Sequence, residues 1–243
     1  MKTAPLRFAA AFLLGIAIAL PARAGDVATL EILGFSQDGS LFAFEEYGIQ
    51  DGSGFPYANR YYIDTAADSF VSGTPVRVRI EDEQAALSDA RAEARRRSQR
   101  VIADETLADN KGFMAAFSPV TELNADPFRL VANPRPIFPP VDRPVEFRLE
   151  EIPFAPTGHC EAMGESAGFR LLRVDASDGG TTGLVHEDES VPASRGCPNG
   201  YRLVGLQTFH PRTGNPVFAV LIAIRRFGFE GPDFRYIAVT GRL

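Results

Sequence analysis

Short runs in the N-terminal part of the chain alternate between apolar and polar residues, which is the pattern of half-buried β-strands. In the run from Pro75 to Ile80 (PVRVRI), the valines and the isoleucine fall on one face and the arginines on the other. Upstream, ATLEILGF from Ala28 and LFAFEEYG from Leu41 flank a polar segment with Asp-Gly, the strongest short signal for a hairpin turn. Together with the β-rich run Arg60–Thr65 (RYYIDT), they predict a hairpin followed by two further strands.

The last third of the chain returns to strand patterns, interrupted by a turn at Asp178-Gly179-Gly180 and an acidic loop at 187–190. The predicted strands are 144–154, 168–175, 201–209, 216–224 and 234–240. The order of features in LGFSQDGSLFAF, from Leu33, recurs in LQTFHPRTGNPVFAV, from Leu206. Either this similarity is coincidental, or the chain contains two copies of a three-stranded antiparallel meander.

One segment, Glu81 to about Ala108, predicts a long helix, because it is rich in alanine and contains no glycine or proline. Acidic residues stand at its start and arginines further along, an order that complements the helix dipole. The arginines are Arg91, Arg95, Arg96, Arg97 and Arg100. They are typical either of a solvated face with Asp89 and Glu93 nearby, which we favour, or of a surface that binds nucleic acid or anionic lipid.

Residues 119–144 contain seven prolines, so regular structure is largely excluded there. Apolar residues are interleaved with these prolines: Phe128, Leu130, Val131, Ile137, Phe138 and Val141. Because exposing all of them would be unfavourable, we expect an extended strap packed across the surface, with short strands at most, and not a flexible linker. The predicted fold class is α+β: mainly β, with antiparallel meanders that could be duplicated, one long helix and the proline-rich strap.

The first 24 residues predict a secretory signal peptide. Lys2 and Arg7 precede an uninterrupted apolar run, and Ala22-Arg23-Ala24 offers small residues at the positions that determine cleavage. The apolar run, Phe8–Leu20, comprises 13 residues, which is too short to cross a hydrocarbon core of about 30 Å. A short membrane anchor is the alternative interpretation.

Cleavage would leave a single secreted domain, residues 25–243, with an ordinary globular composition. Two lobes, 25–118 and 145–243, joined by the proline-rich segment, are the alternative organisation. The signal peptide carries three basic residues and no acid, so its removal lowers the net charge from −6 to −9. This charge argues against nucleic-acid binding, and no second stretch approaches ~18 apolar residues. We therefore expect a periplasmic or secreted protein with no integral membrane segment after cleavage.

The chain contains two cysteines, Cys160 and Cys197. An even number in an oxidising compartment predicts one disulfide, which we favour over free thiols and over a metal site. The histidines available to a metal are His159, His186 and His210. Because His159 and Cys160 are adjacent, they fit no standard ligand spacing, and we expect no metal or other cofactor.

Glu45, Glu46 and Asp51 lie near the loop that follows the second predicted strand. Adjacent glutamates on a strand point to opposite faces, so they cannot both belong to one glycosidase-type pair of carboxylates. Either one could pair with Asp51 through tertiary placement, but solubilising charges at a sheet edge are the favoured interpretation. The chain contains no G-x-S-x-G, H-E-x-x-H or Walker motif, and its histidines form no visible triad.

The glycine-rich segment after the second predicted strand supplies the candidate binding residues, Asp51, Phe55 and Tyr57. Residues 51–54 could begin a calcium loop, but the two aromatics occupy positions at which such a loop needs further carboxylates, so we favour a turn without metal. Two function hypotheses follow. The first is a non-catalytic exported module that binds a ligand or an envelope partner; the alternative is a secreted hydrolase that uses paired carboxylates.

The meander GFSQDGSLFAF, from Gly34, resembles a blade of the periplasmic TolB-type β-propellers, in which Ser-x-Asp-Gly opens the turn. The resemblance covers one blade and a second one loosely, whereas a closed propeller needs four or more blades, so it implies a local meander.

From about Ala28 to its end, the chain also resembles a family of bacterial predicted secreted proteins known as a domain of unknown function. The resemblance is carried by LGFSQDGSLFAFEEYGIQDGSGFPYANRYYIDT, from Leu33, by Thr74–Ile80 and by the Ala/Arg helix that follows. It implies export and one family-wide domain, and it brings no activity and no catalytic residues.

Overall fold

The computed structural model describes residues 25–175 and 180–243. Within them the chain forms three antiparallel β-sheets, two α-helices and two short 3-10 helices. The predicted class, mainly β with antiparallel meanders, is confirmed. The predicted signal peptide (1–24) and most of the predicted turn at 178–180 lie outside the described residues. None of the described helices combines the length and the apolar character needed to cross a membrane.

The first sheet is formed by the N-terminal runs that the alternation predicted. Its strands are β1 (Thr29–Phe35), β2 (Leu41–Ile49), β3 (Pro56–Asp64), β4 (Ser69–Phe70) and β5 (Val76–Arg79). They lie in the order β1-β2-β3-β4, and β5 also pairs with β3. The β1–β2 turn is held by Asp38, whose Oδ1 accepts hydrogen bonds from Ser36 Oγ (2.7 Å) and from the Ser40 amide (3.0 Å).

The remaining strands form two further sheets. They are β6 (Phe113–Phe117), β7 (Arg129–Ala132), β8 (Val145–Phe154), β9 (Ser166–Val174), β10 (Thr182–Glu187), β11 (Pro198–Phe209), β12 (Val217–Phe227) and β13 (Pro232–Arg242). The central sheet has the order β13-β12-β11-β6, and the third sheet has the order β10-β9-β8-β7.

Strand β12 is buried on both of its faces. Its residues from Val217 to Ile224 are all apolar and all at most 5% exposed. Alternate residues enter two different cores, one shared with the first sheet and one shared with the third sheet. Because a β-strand presents successive side chains to opposite faces, an unbroken apolar run of this length requires an apolar layer on each side. The three sheets therefore stack, with the central sheet in the middle.

The helical region is shorter than the predicted segment from Glu81 to Ala108. It consists of helix α1 (Leu87–Ser98) and helix α2 (Asp104–Asp109), separated by a turn. The buried Arg60 side chain lies at the break, where it donates to Ser98 Oγ (2.7 Å) and to Asp104 Oδ1 (2.9 Å). Burying a guanidinium group requires such partners, and they hold the end of one helix and the start of the next around it.

The two segments with the repeated order of features both form three-stranded antiparallel meanders. The first is β1-β2-β3 and the second is β11-β12-β13. Residues of both meanders meet in one core, including Phe42, Phe44, Ala219 and Leu221. Duplication of an ancestral meander stays a hypothesis that this arrangement makes attractive.

The proline-rich segment contains one short strand, β7, and otherwise follows strand β11. Its backbone carbonyls accept hydrogen bonds from the Leu203 amide at Pro127 (2.8 Å) and from Thr208 Oγ1 at Pro134 (2.7 Å). The expected burial of its apolar residues is wrong for most of them. Of the six apolar residues predicted to pack there, Leu130 is buried, whereas the other five are at least 40% exposed. Backbone hydrogen bonds and the burial of Leu130 therefore hold this segment against the domain.

A disulfide joins Cys160, in the 3-10 helix Gly158–Met163, to Cys197 at the start of β11. It encloses strands β9 and β10 in a loop with a sequence separation of 37. In the chain-entropy model a loop of this size stabilises a fold by roughly 3–4 kcal/mol.

Replacing either central residue of β12 should test the stacked arrangement. Leu221 and Ile222 are both fully buried, and they belong to different cores. We expect Leu221→Ala and Ile222→Ala each to lower the free energy of unfolding by about 3 kcal/mol, because both leave a cavity. Urea unfolding followed by far-UV circular dichroism measures this change.

Leu184→Ala is the matched control, because Leu184 is 60% exposed on β10 and should cost no more than about 0.5 kcal/mol. A β12 variant as stable as that control would contradict burial of the corresponding face.

Candidate functional site

A cavity of about 480 Å³ opens where the first sheet, strand β13 and the segment after β10 meet. We call this space the cleft. The apolar part of its lining includes Ile63, Phe70, Ile224, Ile237 and Val239. The charged part of its lining consists of Glu46, Asp68, Arg77, His186, Arg195, Arg226 and Arg235. The cleft therefore places arginines and acids next to an apolar wall, a combination typical of ligand sites.

The adjacent glutamates of β2 point to opposite faces of the first sheet, as predicted. Glu45 faces helix α1 and accepts hydrogen bonds from Arg91 (3.2 and 3.1 Å), whereas Glu46 faces the cleft. The interpretation as solubilising edge charges is wrong, because the two residues are only 3% and 1% exposed. Strand β2 lies between β1 and β3 and is not an edge.

Both carboxylate oxygens of Glu46 accept hydrogen bonds from the protein. Oε1 accepts from Tyr61 Oη (2.7 Å) and from Asn59 Nδ2 (3.0 Å), and Oε2 accepts from the Tyr236 amide (2.7 Å). Burial, and then the Glu46 charge, raise the pKa of Tyr61 well above its usual value, so its hydroxyl remains a donor. The buried charge of Glu46 is thus compensated from three directions.

His186 lies in a chain of charged groups along the cleft. Its Nε2 lies 3.1 Å from Asp188 Oδ1, and its Nδ1 lies 3.7 Å from Asp68 Oδ2. Arg195 donates to the other oxygen of Asp188 (2.5 Å), and the His186 ring stacks on Phe169 with centroids 4.9 Å apart. This cluster connects the turn after β3 to the third sheet.

The two carboxylates raise the pKa of His186 to about 9, mainly through the hydrogen bond with Asp188 and then through the nearby carboxylate of Asp68. Burial tends to raise the pKa of Asp188, but hydrogen bonds from His186, Arg195 and the Phe169 amide outweigh it and lower that pKa to about 2. At neutral pH His186 is therefore a cation between two anions.

Asp26 and Arg235 form a buried ion pair beside the cleft. The Arg235 guanidinium also lies over the ring of Tyr57, 4.5 Å from its centroid, and Tyr57 Oη donates to Asp26 Oδ1 (3.0 Å). Burial raises the pKa of Asp26 although these partners oppose the shift. Arg235 is consequently neutralised within the protein.

Arg226 differs from the paired charged groups of the cleft and from Arg77, which also forms no ion pair among the described residues but is exposed to solvent. Its Nε is buried without a hydrogen-bond partner, and its guanidinium forms no ion pair with any residue in the described ranges. Burial, and then the neighbouring charge of Arg235, lower the pKa of Arg226. The cleft thus holds a partly desolvated cation that the described residues leave without a direct partner.

The predicted binding residues do not come together in one site. Asp51 Oδ2 accepts a hydrogen bond from the Glu230 amide (3.0 Å), and Phe55 lies half-buried at the end of the loop. Tyr57 belongs to strand β3 and is 5% exposed, so it is a core residue and not part of an exposed aromatic loop. Its link to the cleft is indirect, through Asp26 and Arg235.

Sequence reasoning named Glu46 and His186 but did not bring them into one site, and it missed Arg226 and Asp68. An unbroken apolar run ends at Ile224 and is followed by two adjacent arginines. Because neighbouring residues of a strand face opposite sides, the two arginines continue the two faces of the run, and alternation alone does not say which of them is buried. Arg225 is the exposed one, bonded to Asn199, and Arg226 is the inward one. No local pattern indicated that His186 or Asp68 would line the cleft.

Removing the unpaired charge of Arg226 should stabilise the protein. We expect Arg226→Met to raise the free energy of unfolding by about 1 kcal/mol, since an uncompensated buried charge opposes folding. Urea unfolding at pH 7.5 measures the change. Arg225→Met on the same strand is the control and should have no stabilising effect; a loss of stability in Arg226→Met would mean that Arg226 has structural partners.

The stabilisation that His186 supplies should depend on pH. Its pKa is raised from 6.5 to about 9 in the folded state, so its contribution is complete below about pH 6.5 and is lost as the pH rises through 9. We expect His186→Gln to reduce the free energy of unfolding by about 1–2 kcal/mol at pH 6 and by much less at pH 9.5. Parallel urea titrations of both proteins measure the difference, and an equal loss at both pH values would contradict the raised pKa.

Comparison with known protein families gives a match to the family described as "Predicted secreted protein (DUF2259)" over residues 43–242. The comparisons with curated proteins and with solved structures found no match. The matched range contains most of the first sheet and all of the central and third sheets, and the family description agrees with the predicted periplasmic or secreted location. The chain therefore belongs to this family of predicted secreted proteins.

Proposed function

We propose that this protein is an exported, non-catalytic binding module whose cleft takes a small ligand with an acidic group attached to an apolar body. The observation that carries the proposal is Arg226, a half-buried guanidinium in the cleft that lacks a partner among the described residues. Proteins rarely keep such a group unless it meets a charge from outside.

The charges around Arg226 support an anion as that partner. Arg235 is close enough to lower the pKa of Arg226, and its own charge is balanced by Asp26. Glu46 attracts Arg226 at longer range, but its oxygens already accept three hydrogen bonds from other residues. A carboxylate or phosphate of a ligand would accept hydrogen bonds from the guanidinium in the bidentate manner that arginine favours.

The apolar lining supports a ligand that is more than a bare inorganic anion. Ile224 and Arg226 are two positions apart on β12 and both line the cleft, together with Ile237 and Val239 of β13. A hydrophobic group next to the acidic one would cover the partly exposed side chains of Ile237 and Phe70, which also lines the cleft, and remove their surface from water.

The alternative, a hydrolase with paired carboxylates, has less support. Glu46 and Asp68 both line the cleft, but Asp68 Oδ1 accepts hydrogen bonds from the amide and the hydroxyl of Thr240 (2.7 and 3.0 Å), and Glu46 is equally occupied. Ser69 and Ser194 also line the cleft, yet the two carboxylates beside His186 raise its pKa to about 9, which disfavours a neutral imidazole that could accept a proton from them. Glu46, Asp68 and His186 thus already have partners within the protein.

Benzoate is a suitable probe, because it joins a carboxylate to an apolar ring. We expect isothermal titration calorimetry to detect its binding to the wild-type protein, and Arg226→Met to weaken that binding at least about tenfold through loss of a charged hydrogen bond. Benzyl alcohol, which has a similar ring and no charge, should bind no better to the wild type than to the variant.

Arg225→Met is the matched control, since it removes the neighbouring arginine on the exposed face of the same strand. It should bind benzoate as the wild type does. Equal affinities of the wild type and Arg226→Met for the probe would contradict the proposal.

A further inference from the structure

We propose that a second concave surface, the arginine groove, binds phosphate groups, a role that goes beyond the proposed ligand cleft. The groove is a cavity of about 510 Å³ between the C-terminal end of helix α1 and the turn before β5. Its lining is Gly73, Val76, Arg77, Arg96, Arg97 and Arg100. Four of these six residues are arginines.

Two separate elements bring these arginines together. Arg96 and Arg97 belong to helix α1 and Arg100 follows it, whereas Arg77 comes from strand β5. The helix is fixed on the first sheet by small residues, because its Ala90 and Ala94 pack against Ala58 and Val78. The groove therefore combines cations from two elements that pack against each other, and is not simply one basic face of a helix.

The positive charge of the groove is only partly compensated. Glu93 pairs with Arg96 (2.7 Å) and Arg97 (2.6 Å), and these hydrogen bonds lower the pKa of Glu93 to about 2. Arg77 and Arg100 form no ion pair within the part of the chain that the structure describes. Four cations against one anion leave a local excess of positive charge in a chain whose net charge is −6.

This arrangement favours multiply charged oxyanions over single carboxylates. A phosphate group carries more than one negative charge and several acceptor oxygens, and guanidinium groups match it with paired N–H donors. Binding a phosphate here would cost little in desolvation of the arginines, because Arg96, Arg97 and Arg100 lie at the solvent-exposed surface. The phosphate could be a phospholipid headgroup or part of a soluble polyphosphate, and both share this chemistry.

The test compares a groove variant with a control of equal charge. Arg97→Gln/Arg100→Gln removes two groove cations and leaves Arg96 to pair with Glu93. Arg143→Gln/Arg242→Gln removes two exposed arginines that line neither the groove nor the cleft. Binding is measured at low salt by vesicle sedimentation, with phosphatidylglycerol or with phosphatidylcholine alone, and by calorimetry with inorganic tripolyphosphate.

We expect the wild type and the control to bind phosphatidylglycerol vesicles, tripolyphosphate or both, and the groove variant to bind about tenfold or more weakly. Binding to vesicles alone would identify a lipid headgroup as the source, and binding to tripolyphosphate alone would identify a soluble one. The proposal would be overturned if the wild type bound neither probe. It would also be overturned if the groove variant and the control lost affinity equally. Arg226→Met should retain this binding, so failure of the cleft proposal would be seen separately.

Discussion

Burial of both faces of strand β12 is the constraint on which the rest of the structure depends. Its run from Val217 to Ile224 has no polar side chain to offer to water, so a sheet must lie on each side of it. The stack of three sheets is the result, with two separate cores on the two faces of the central sheet. The cleft opens where this run ends, because Arg226 then replaces an apolar side chain between the sheets.

Three carboxylates hold the first sheet and the segment before β1 to strand β13. Glu46 accepts the Tyr236 amide, Asp68 accepts the Thr240 amide, and Asp26 pairs with Arg235. Strand β13 is an edge strand of the central sheet, so these contacts also satisfy donors that β12 leaves free. The same acids line or adjoin the cleft, and their engagement with the protein contrasts with Arg226, which forms no ion pair with any of the described residues.

The fold was more predictable from sequence than the site, for a physical reason. Strand alternation and the Asp-Gly turn are local, and they correctly located the hairpin and the valines of β5. The helix was predicted too long because its break depends on Arg60, which lies far away in the chain. The cleft joins residues from positions 46 to 239, and no local pattern records such a juxtaposition. Tyr57 was misassigned for the same reason, since its glycine-rich neighbours suggested a loop.

The disulfide constrains the chain segment that forms one side of the cleft. The segment between Cys160 and Cys197 carries His186 and Arg195, which line the cleft, and Asp188, which pairs with both. A reduced chain would have to order this wall by noncovalent contacts alone, with the full conformational freedom of an open loop to overcome. Oxidation supplies the closure in the compartment that receives secreted proteins. Export and completion of one side of the cleft are thereby coupled through the chemistry of two sulfur atoms.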